Sequence, residues 1–346
     1  MKFSLFYNFD VLPETDEYTL LAEVEAQALA AERLGFDGIW LAEHHFQEYG
    51  RMPAPLVFLA RISGLTSRLK LGTAVVEAPY YHPLRLAEDA ALLDVISGGR
   101  VHLGLGSGAG NKELEFVRFG IAKEEKSARL LEIAEILRQA YAEPEVAFSG
   151  SYYRHEGLAI SPRPRQDVQS LLWLAASATT VPYAARHGLP ILLPRPVDEQ
   201  KLRDLIADYR GQLPAGVPGH VASLRFAFVA ETRELAHERT RATFTRYAKY
   251  DGGIDWDGRT DTDEYRELCA KLKFVAGTPD DVIDQIRLWR DDLGMDEILI
   301  QTYAAGTRRD DAIRSMELFS TEVVPQFASE TSAPAVPRLR PVPLEA

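Results

Sequence analysis

Short apolar runs alternate with longer amphipathic runs along nearly the whole 346-residue chain. A short apolar run bounded by turn residues favours a buried strand, and apolar residues that recur every three to four positions favour a helix. Alternation of the two predicts a parallel sheet, and eight such units predict a closed (β/α)8 TIM barrel. This alternation constrains the fold most. A chain of this length would usually form two domains, but an α/β barrel can hold it in one.

The segment boundaries follow from where each periodic pattern stops and from residues that cap helices. The predicted strands are Lys2–Tyr7, Gly38–Leu41, Leu69–Val76, Val101–Leu105, Leu171–Ala175, Ile191–Leu193, Val221–Ala230 and Glu297–Thr302. The predicted helices are Tyr18–Leu34, Pro55–Leu65, Pro83–Ile96, Ser127–Tyr141, Thr179–His187, Asp198–Leu213, Arg233–Tyr250, Thr278–Asp292 and Asp310–Phe327.

Two stretches depart from this rhythm. Asp251–Asp263 combines Gly, Asp and Trp without periodicity, which predicts an insertion near residues 251–275. The end of the chain is rich in proline and poor in apolar periodicity, so we expect one barrel domain over residues 1–328 and a disordered tail over 329–346. The rival fold, a doubly wound open sheet, would need a Gly-rich turn after the first strand, and Asn8–Asp10 offers none.

Charge and cysteine content exclude several classes of function. The net charge is −12, from 39 basic and 51 acidic residues, and this argues against a nucleic-acid-binding protein. The single cysteine, Cys269, suits a reducing cytoplasm. The N-terminus lacks a basic segment followed by a long apolar run, and no apolar stretch is long enough for a membrane span, so we expect a cytoplasmic protein without a membrane partner.

In such barrels the reactive residues lie just after the strands. Glu43, His44 and His45 follow the predicted second strand, and Ser177 and Thr180 follow the fifth. Each group also has a structural explanation, because histidines at a strand end can be core residues and hydroxyls can cap a helix. A helix N-terminus with hydroxyls can equally bind a phosphate. No metal site is expected, since adjacent histidines without a third spaced ligand do not form one.

Five blocks of the sequence resemble, in the same order, the flavin-dependent monooxygenases of the bacterial luciferase family. They are distributed over residues 1–328, and their order makes the resemblance more specific than any single block. The blocks are Gly35–Phe46, Leu71–Asp94, Ile96–Gly108, Ser177–Thr180 with His187–Pro190, and Ala276–Asp281.

The resemblance implies a (β/α)8 barrel, usually a homodimer, that binds FMN at its C-terminal mouth. In that family a separate flavin reductase supplies reduced FMN, and O2 adds to it to give a C4a-peroxyflavin. This species oxygenates a small-to-medium organic substrate, so the site must exclude water.

The resemblance also implies roles for particular residues. His44 matches the catalytic histidine of the family, and an imidazole suits proton transfer near neutral pH. Glu43 would orient His44 or tune its charge. Ala74 and Val75 match a non-proline cis peptide beneath the flavin ring.

The implied cofactor contacts continue around the mouth. Ser177, Ala178 and Thr180 match the phosphate-binding turn, and Arg129 is the nearest match, out of register, to a phosphate-binding arginine. Gly106 and Ser107 occupy a position where light-emitting members carry Cys-Arg. Those members also have a glutamate at the position of Ala176 and a longer mobile lid before the block that matches Ala276–Asp281. The resemblance therefore implies a member that does not emit light.

Aromatic residues near the strand ends would form a mouth for an apolar substrate, or belong to the core. Those assigned to substrate binding are Tyr7, Phe46 and Tyr81. Two other functions stay open. A deazaflavin-dependent oxidoreductase would need basic residues for a polyanionic tail, for which Arg195 is the main candidate. A non-catalytic flavin-binding protein is disfavoured by the eight units and by His44.

Overall fold

A closed barrel of parallel strands forms the centre of the molecule. The structure is a computed structural model that describes residues 1–10, 12, 15–46, 50–108, 113–195 and 198–327. Among these residues, eight strands pair in chain order, and Lys2 beside Glu297 closes the ring, which confirms the predicted (β/α)8 barrel. The barrel strands are β1 (Lys2–Tyr7), β2 (Gly38–Leu41), β3 (Lys70–Thr73), β4 (Val101–Gly106), β5 (Leu172–Ala175), β6 (Ile191–Leu193), β7 (Val221–Val229) and β8 (Glu297–Gln301).

Helices connect the strands and surround the barrel. Capping fixes where several of them begin, because Asp16 accepts from the backbone of Thr19, and Thr278 and Asp281 form a capping box. The main helices are α1 (Glu17–Leu34), α2 (Pro55–Leu65), α3 (Pro83–Ser97), α4 (Lys126–Ala142), α5 (Val181–Arg186), α6 (Glu199–Gln212), α7 (Arg233–Gly252), α8 (Asp263–Leu272), α9 (Pro279–Arg287) and α10 (Arg309–Leu318).

Large side chains fill the inside of the barrel. The indole rings of Trp40 and Trp173 meet edge to face with centroids 5.0 Å apart, and the His102 ring lies 4.9 Å from that of Trp173. Gly72 makes room for them, because a Cβ at this position would lie 2.1 Å from the Trp40 ring. The barrel below the mouth is thus a packed core, and space for a ligand lies above the strand ends.

The third predicted strand is interrupted. It forms β3 and a second short strand, Val76–Glu77, which pairs with Leu105 and Gly106 of β4. Between the two pieces the peptide bond from Ala74 to Val75 is cis, as the family resemblance implied.

The insertion predicted near residues 251–275 is more regular than expected. Residues 254–262 lack helix or strand, but α8 and a short strand, Phe274–Gly277, follow. The strand pairs with Phe226–Val229, beyond the three residues of β7 that pair with β6. The sequence contains a signal for α8, since Thr262 caps it and apolar residues recur at Tyr265, Leu268 and Leu272.

Other differences lie outside the barrel. Val146–Ser149 and Arg154–Leu158 form an antiparallel hairpin that the sequence analysis did not predict. The tail predicted to be disordered, 329–346, lies outside the described residues. In the part of the chain that the structure describes, no helix has the length and apolar character needed to cross a membrane.

Candidate active site at the barrel mouth

The carboxyl ends of β1 to β5, consecutive around the barrel, bring most of the candidate residues together. Backbone hydrogen bonds tie neighbouring ends, from the Ala42 N–H to the Tyr7 carbonyl and from the Ala74 N–H to the Leu41 carbonyl. In barrel order the strand ends carry Asn8, His44, Ala74 with Val75, Gly106 with Ser107, and Ser177 with Thr180.

His44 is fixed at the end of β2. Its Nε2 lies 2.9 Å from Oδ1 of Asn8, and its backbone N–H donates to the carbonyl of Met52 at 2.9 Å. The imidazole also packs on Gly50, where a Cβ would lie 2.1 Å from the His44 Cδ2. The side chain is partly buried, so these contacts hold the imidazole in one orientation at the mouth.

Glu43 contacts His45, whereas the sequence analysis expected it to orient His44 or to tune its charge. One carboxylate oxygen lies 2.7 Å from His45 Nε2, and the other accepts from the Tyr81 hydroxyl at 2.9 Å and from the Glu77 N–H at 3.2 Å. Glu43 is only 2% exposed. Burial, and then the charge of Glu43, raise the pKa of Tyr81, which therefore remains a hydrogen-bond donor at neutral pH.

Small residues form the floor of the mouth between β3 and β5. Gly106 carries no side chain, and a Cβ there would lie 2.3 Å from the Val75 Cγ2 and 3.7 Å from the Ala175 Cβ. Val75 therefore lies directly over the end of β4. Ala74 and Val75 are partly exposed, so the floor offers apolar surface to a ligand at the mouth.

The turn after β5 has the hydrogen bonds of a helix start and an exposed hydroxyl. The Thr180 N–H donates to the Ser177 hydroxyl at 3.2 Å and the Ser177 N–H to the Thr180 hydroxyl at 2.9 Å, as in a capped helix start. Thr180 is buried and its hydroxyl also donates to the Ala175 carbonyl at 2.6 Å. Ser177 and Ala178 are exposed, so this turn presents a hydroxyl to the solvent-facing mouth.

Two cations of α4 lie near this end of the barrel. Arg129 is paired with Glu125 at 2.8 Å and stacks on the Tyr152 ring at 4.5 Å. Lys126, which the sequence analysis did not select, donates from Nζ to the Gly108 carbonyl at 2.8 Å. Lys126 begins α4, which follows the Gly-rich run after β4 and the short helix Glu113–Arg118.

The three aromatic candidates lie in different places. Tyr7 is 1% exposed and its hydroxyl is 3.4 Å from Gln27 of α1, so it lies between barrel and helix. Tyr7 was expected at the mouth, and this expectation is corrected: its side chain lies between β1 and α1. Tyr81 lies behind the mouth on Glu43. Phe46 is 58% exposed at the rim, beside Phe119 at 5.6 Å.

A polar cavity adjoins Asn8 on the other side of the mouth. Arg195 donates to Gln301 Oε1 at 2.8 Å, and Asp10 is paired with Arg246 at 2.6 Å. Its lining residues are Asn8, Asp10, Arg195, Phe226, Thr243, Tyr247, Gln301 and Ala304. Within the described residues, no three His, Cys, Asp or Glu side chains are grouped as metal ligands would be.

A barrel with a histidine and a hydroxyl-bearing turn at its mouth is the architecture of many cofactor-binding oxidoreductases. The family model described as luciferase-like monooxygenase matches residues 1–297. The chain therefore belongs to the luciferase-like monooxygenase family, as the five sequence blocks indicated.

Flavin-dependent monooxygenases are among the proteins to which this chain is similar. The chain is 31% identical over 316 residues to protein y4vJ of Sinorhizobium fredii, covering 86% of this chain and 89% of that one. It is 24% identical over 350 residues to the oxygenase component of the flavin-dependent trigonelline monooxygenase of Acinetobacter baylyi, covering 95% and 96%. The crystal structure of the monooxygenase RslO1 from Streptomyces bottropensis has a TM-score of 0.85 at 27% identity, covering 95% and 100%.

More distant structures share the fold alone. The oxygenating constituent of 3,6-diketocamphane monooxygenase from Pseudomonas putida, in complex with FMN, has a TM-score of 0.76 at 19% identity and covers 94% of this chain and 98% of its own. An F420-dependent secondary alcohol dehydrogenase has a TM-score of 0.71 at 16% identity and covers 95% and 99%.

Proposed function

We propose that the protein is the oxygenase of a two-component flavin-dependent monooxygenase that uses reduced FMN and O2. The observation that carries this proposal is His44, fixed at the mouth beside a small-residue floor in a chain of the luciferase-like monooxygenase family. Bound reduced FMN would supply two electrons, so that one oxygen atom enters the organic substrate and the other leaves as water. The proposed substrate is a small-to-medium organic molecule.

The floor fits the flavin ring. Ala74, Val75 and Gly106 bear no charge and no long side chain, so a flat tricyclic ring can approach the backbone there. Bulky neighbours such as Trp40 and Trp173 pack below this level and leave no room for the ring to sink into the barrel. The ring would thus lie across the ends of β3 and β4.

The turn after β5 fits the flavin phosphate. The exposed Ser177 hydroxyl and the backbone near Ala178 and Thr180 would donate hydrogen bonds to it. Arg129 is already paired with Glu125, so we assign the cationic contact to Lys126, with Arg129 as a more distant contributor. Ser107, partly exposed at the end of β4, lies on the path between ring and phosphate sites.

His44 would exchange a proton with the reacting oxygen, and Glu43 would act on the site through His45 and Tyr81. Phe46 at the rim would contact an apolar part of the substrate. These roles rest on the family resemblance, and the geometry is compatible with them. Since barrels of this type carry out chemistry at the C-terminal face, the roles require no change in the fold.

A separate flavin reductase is the partner that this proposal requires. The relative from Acinetobacter baylyi is named as an oxygenase component, which supports such a division of labour. A cytoplasmic location, expected from the single cysteine, remains a prediction.

The second candidate is a deazaflavin-dependent oxidoreductase. Arg195, at the end of β6 in the polar cavity, could meet one charge of a polyanionic tail, and a structure with the same fold is F420-dependent. A flavin-binding protein without catalytic activity is the third, and the position of His44 at the mouth disfavours it.

A binding and turnover experiment separates these functions. We expect reduced FMN to bind more tightly than reduced F420, and oxygenated product to require reduced FMN and O2. The Ser177→Ala/Thr180→Ala variant should lose at least about tenfold in affinity for FMN and little for riboflavin, which lacks the phosphate. Anaerobic substrate oxidation with F420 would contradict the monooxygenase proposal, and equal losses for FMN and riboflavin would contradict the phosphate assignment.

We also propose that the protein is a homodimer. Helices α2 and α3 pack side by side and leave Val57, Leu92, Val95 and Ile96 between 36% and 72% exposed. Exposed apolar side chains on neighbouring helices favour association. Light scattering should give twice the 38.6 kDa chain mass, and Leu92→Glu/Ile96→Glu should give the single mass. Leu288→Glu, an exposed leucine elsewhere, is the control, and a monomeric wild type would refute the proposal.

A further inference from the structure

Two adjacent histidines at the mouth have chemically different partners. His45 Nε2 meets a carboxylate oxygen of Glu43, whereas His44 Nε2 meets the amide oxygen of Asn8 at 2.9 Å. With the Asn8 amide in this orientation, its oxygen can only accept a hydrogen bond, so the hydrogen between the two atoms resides on Nε2 of His44. The contact therefore selects one of the two neutral tautomers of the imidazole.

Backbone packing restricts the His44 ring from a second side. A Cβ on Gly50 would lie 2.1 Å from Cδ2 and 2.7 Å from Cγ of His44, and 2.8 Å from the Asn8 carbonyl oxygen. Gly50–Met52 is tied to both strand ends, because the Arg51 N–H donates to the Phe9 carbonyl and the Met52 carbonyl accepts from the His44 N–H. The ring thus lies between this segment and the end of β1.

We propose that Asn8 is a positioning residue that holds His44 in the Nε2–H tautomer, with Gly50 providing the space for the ring. The relevance of this contact to catalysis rests on the proposed function, but the tautomer is a property of the protein alone. A fixed tautomer matters because only one ring nitrogen can then accept a proton from the reacting molecule.

Charged groups surround Asn8, but Asn8 itself is neutral and adds no charge beside His44. Asp10 and Arg246 form an ion pair in the cavity that Asn8 lines, Arg195 lies across the same cavity, and Glu43 is held by His45 on the other side. A carboxylate in place of the Asn8 amide would add a negative charge in direct contact with His44. It would stabilise the imidazolium and raise the pKa of His44.

Nitrogen NMR of protein labelled at its eight histidines, without flavin or substrate, tests the proposal. The His44→Gln variant identifies the His44 signals by their loss. We expect neutral His44 to show the Nε2–H pattern in the wild type. Asn8→Asp, which preserves shape, should raise the pKa of His44 by at least about 1 unit, a tenfold change in its proton affinity. Asn8→Ala should give a mixture of tautomers.

Matched glycine variants test the packing. Gly50→Ala should displace the ring and alter the His44 signals, whereas Gly64→Ala should not, because a Cβ at Gly64 in α2 meets no atom within 4 Å. An Nδ1–H tautomer in the wild type, an imidazolium throughout the titration, or an unshifted pKa in Asn8→Asp would overturn the proposal. Circular dichroism of each variant separates these outcomes from misfolding.

Activity then provides a separate readout. If the protein forms oxygenated product with reduced FMN and O2, Asn8→Asp should shift the pH profile of product formation in the same direction as the NMR titration. If the NMR results hold but no product forms with reduced FMN and O2, the proposed function fails and the positioning role stands. If product forms with an unchanged NMR titration, the positioning role fails alone.

Discussion

Replacing His44 with alanine should lower the yield of oxygenated product by at least about 100-fold, the low end for loss of an acid–base group. Affinity for reduced FMN should stay close to that of the wild type, because the turn that we propose binds the phosphate lies three strands away around the barrel. The small floor at Ala74 and Gly106 is also unchanged. The measurement is product formed per reduced FMN in a single turnover, together with a binding titration.

His187→Ala is the matched control for this experiment. His187 follows α5 and so lies at the opposite end of the barrel from the mouth. Its loss should leave both yield and affinity unchanged. A normal yield from His44→Ala would remove the imidazole from the mechanism, and a joint loss of yield and affinity would make His44 a binding residue.

A second large effect concerns stability at acid pH. His102 is buried inside the barrel beside Trp40 and Trp173, and Nδ1 has no hydrogen-bond partner among the described residues. Burial lowers its pKa to about 3, and the nearby Glu297 opposes this only in part. Because the folded pKa lies below the unfolded value near 6.5, the unfolded chain binds the proton more readily.

The free energy of unfolding should therefore fall as the pH decreases from about 6.5 towards 3, by about 2 kcal/mol at pH 5 from His102 alone. His102→Phe keeps an aromatic ring in this space and removes the titrating group. Urea denaturation at pH 8 and pH 5 should show a pH-dependent loss about 2 kcal/mol smaller in this variant. The exposed His82→Phe serves as the control, and equal losses in His102→Phe and the wild type would refute the argument.

The fold could be predicted from sequence because its signals are local. Apolar periodicity and capping residues act over a few positions, so most helices and every barrel strand except the interrupted third lie within two residues of their predicted bounds. The helix α8 had the same signals, with Thr262 as its cap, but they were hidden by the aperiodic residues before it.

The candidate site depended on information that is not local. Successive side chains of a strand point to opposite faces, so Tyr7 points towards α1 while Asn8 points into the mouth. The general rule for barrels pointed to the strand ends, but neither it nor the resemblance could reveal that Asn8 meets His44 across 36 residues or that Glu43 meets His45. Such contacts depend on how strand ends are staggered around the barrel.

The two ends of β7 pair with different strands. Val221–Ser223 completes the barrel ring with β6, whereas Phe226–Val229 supports the strand Phe274–Gly277 and an aromatic cluster that includes Phe244 and Tyr265. The segment from α7 to Phe274–Gly277 is thus joined to the part of β7 that lies beyond its pairing with β6. A change in this segment that leaves Val221–Ser223 in place also leaves the pairing of β6 with β7, and so the closure of the barrel at that point, unchanged.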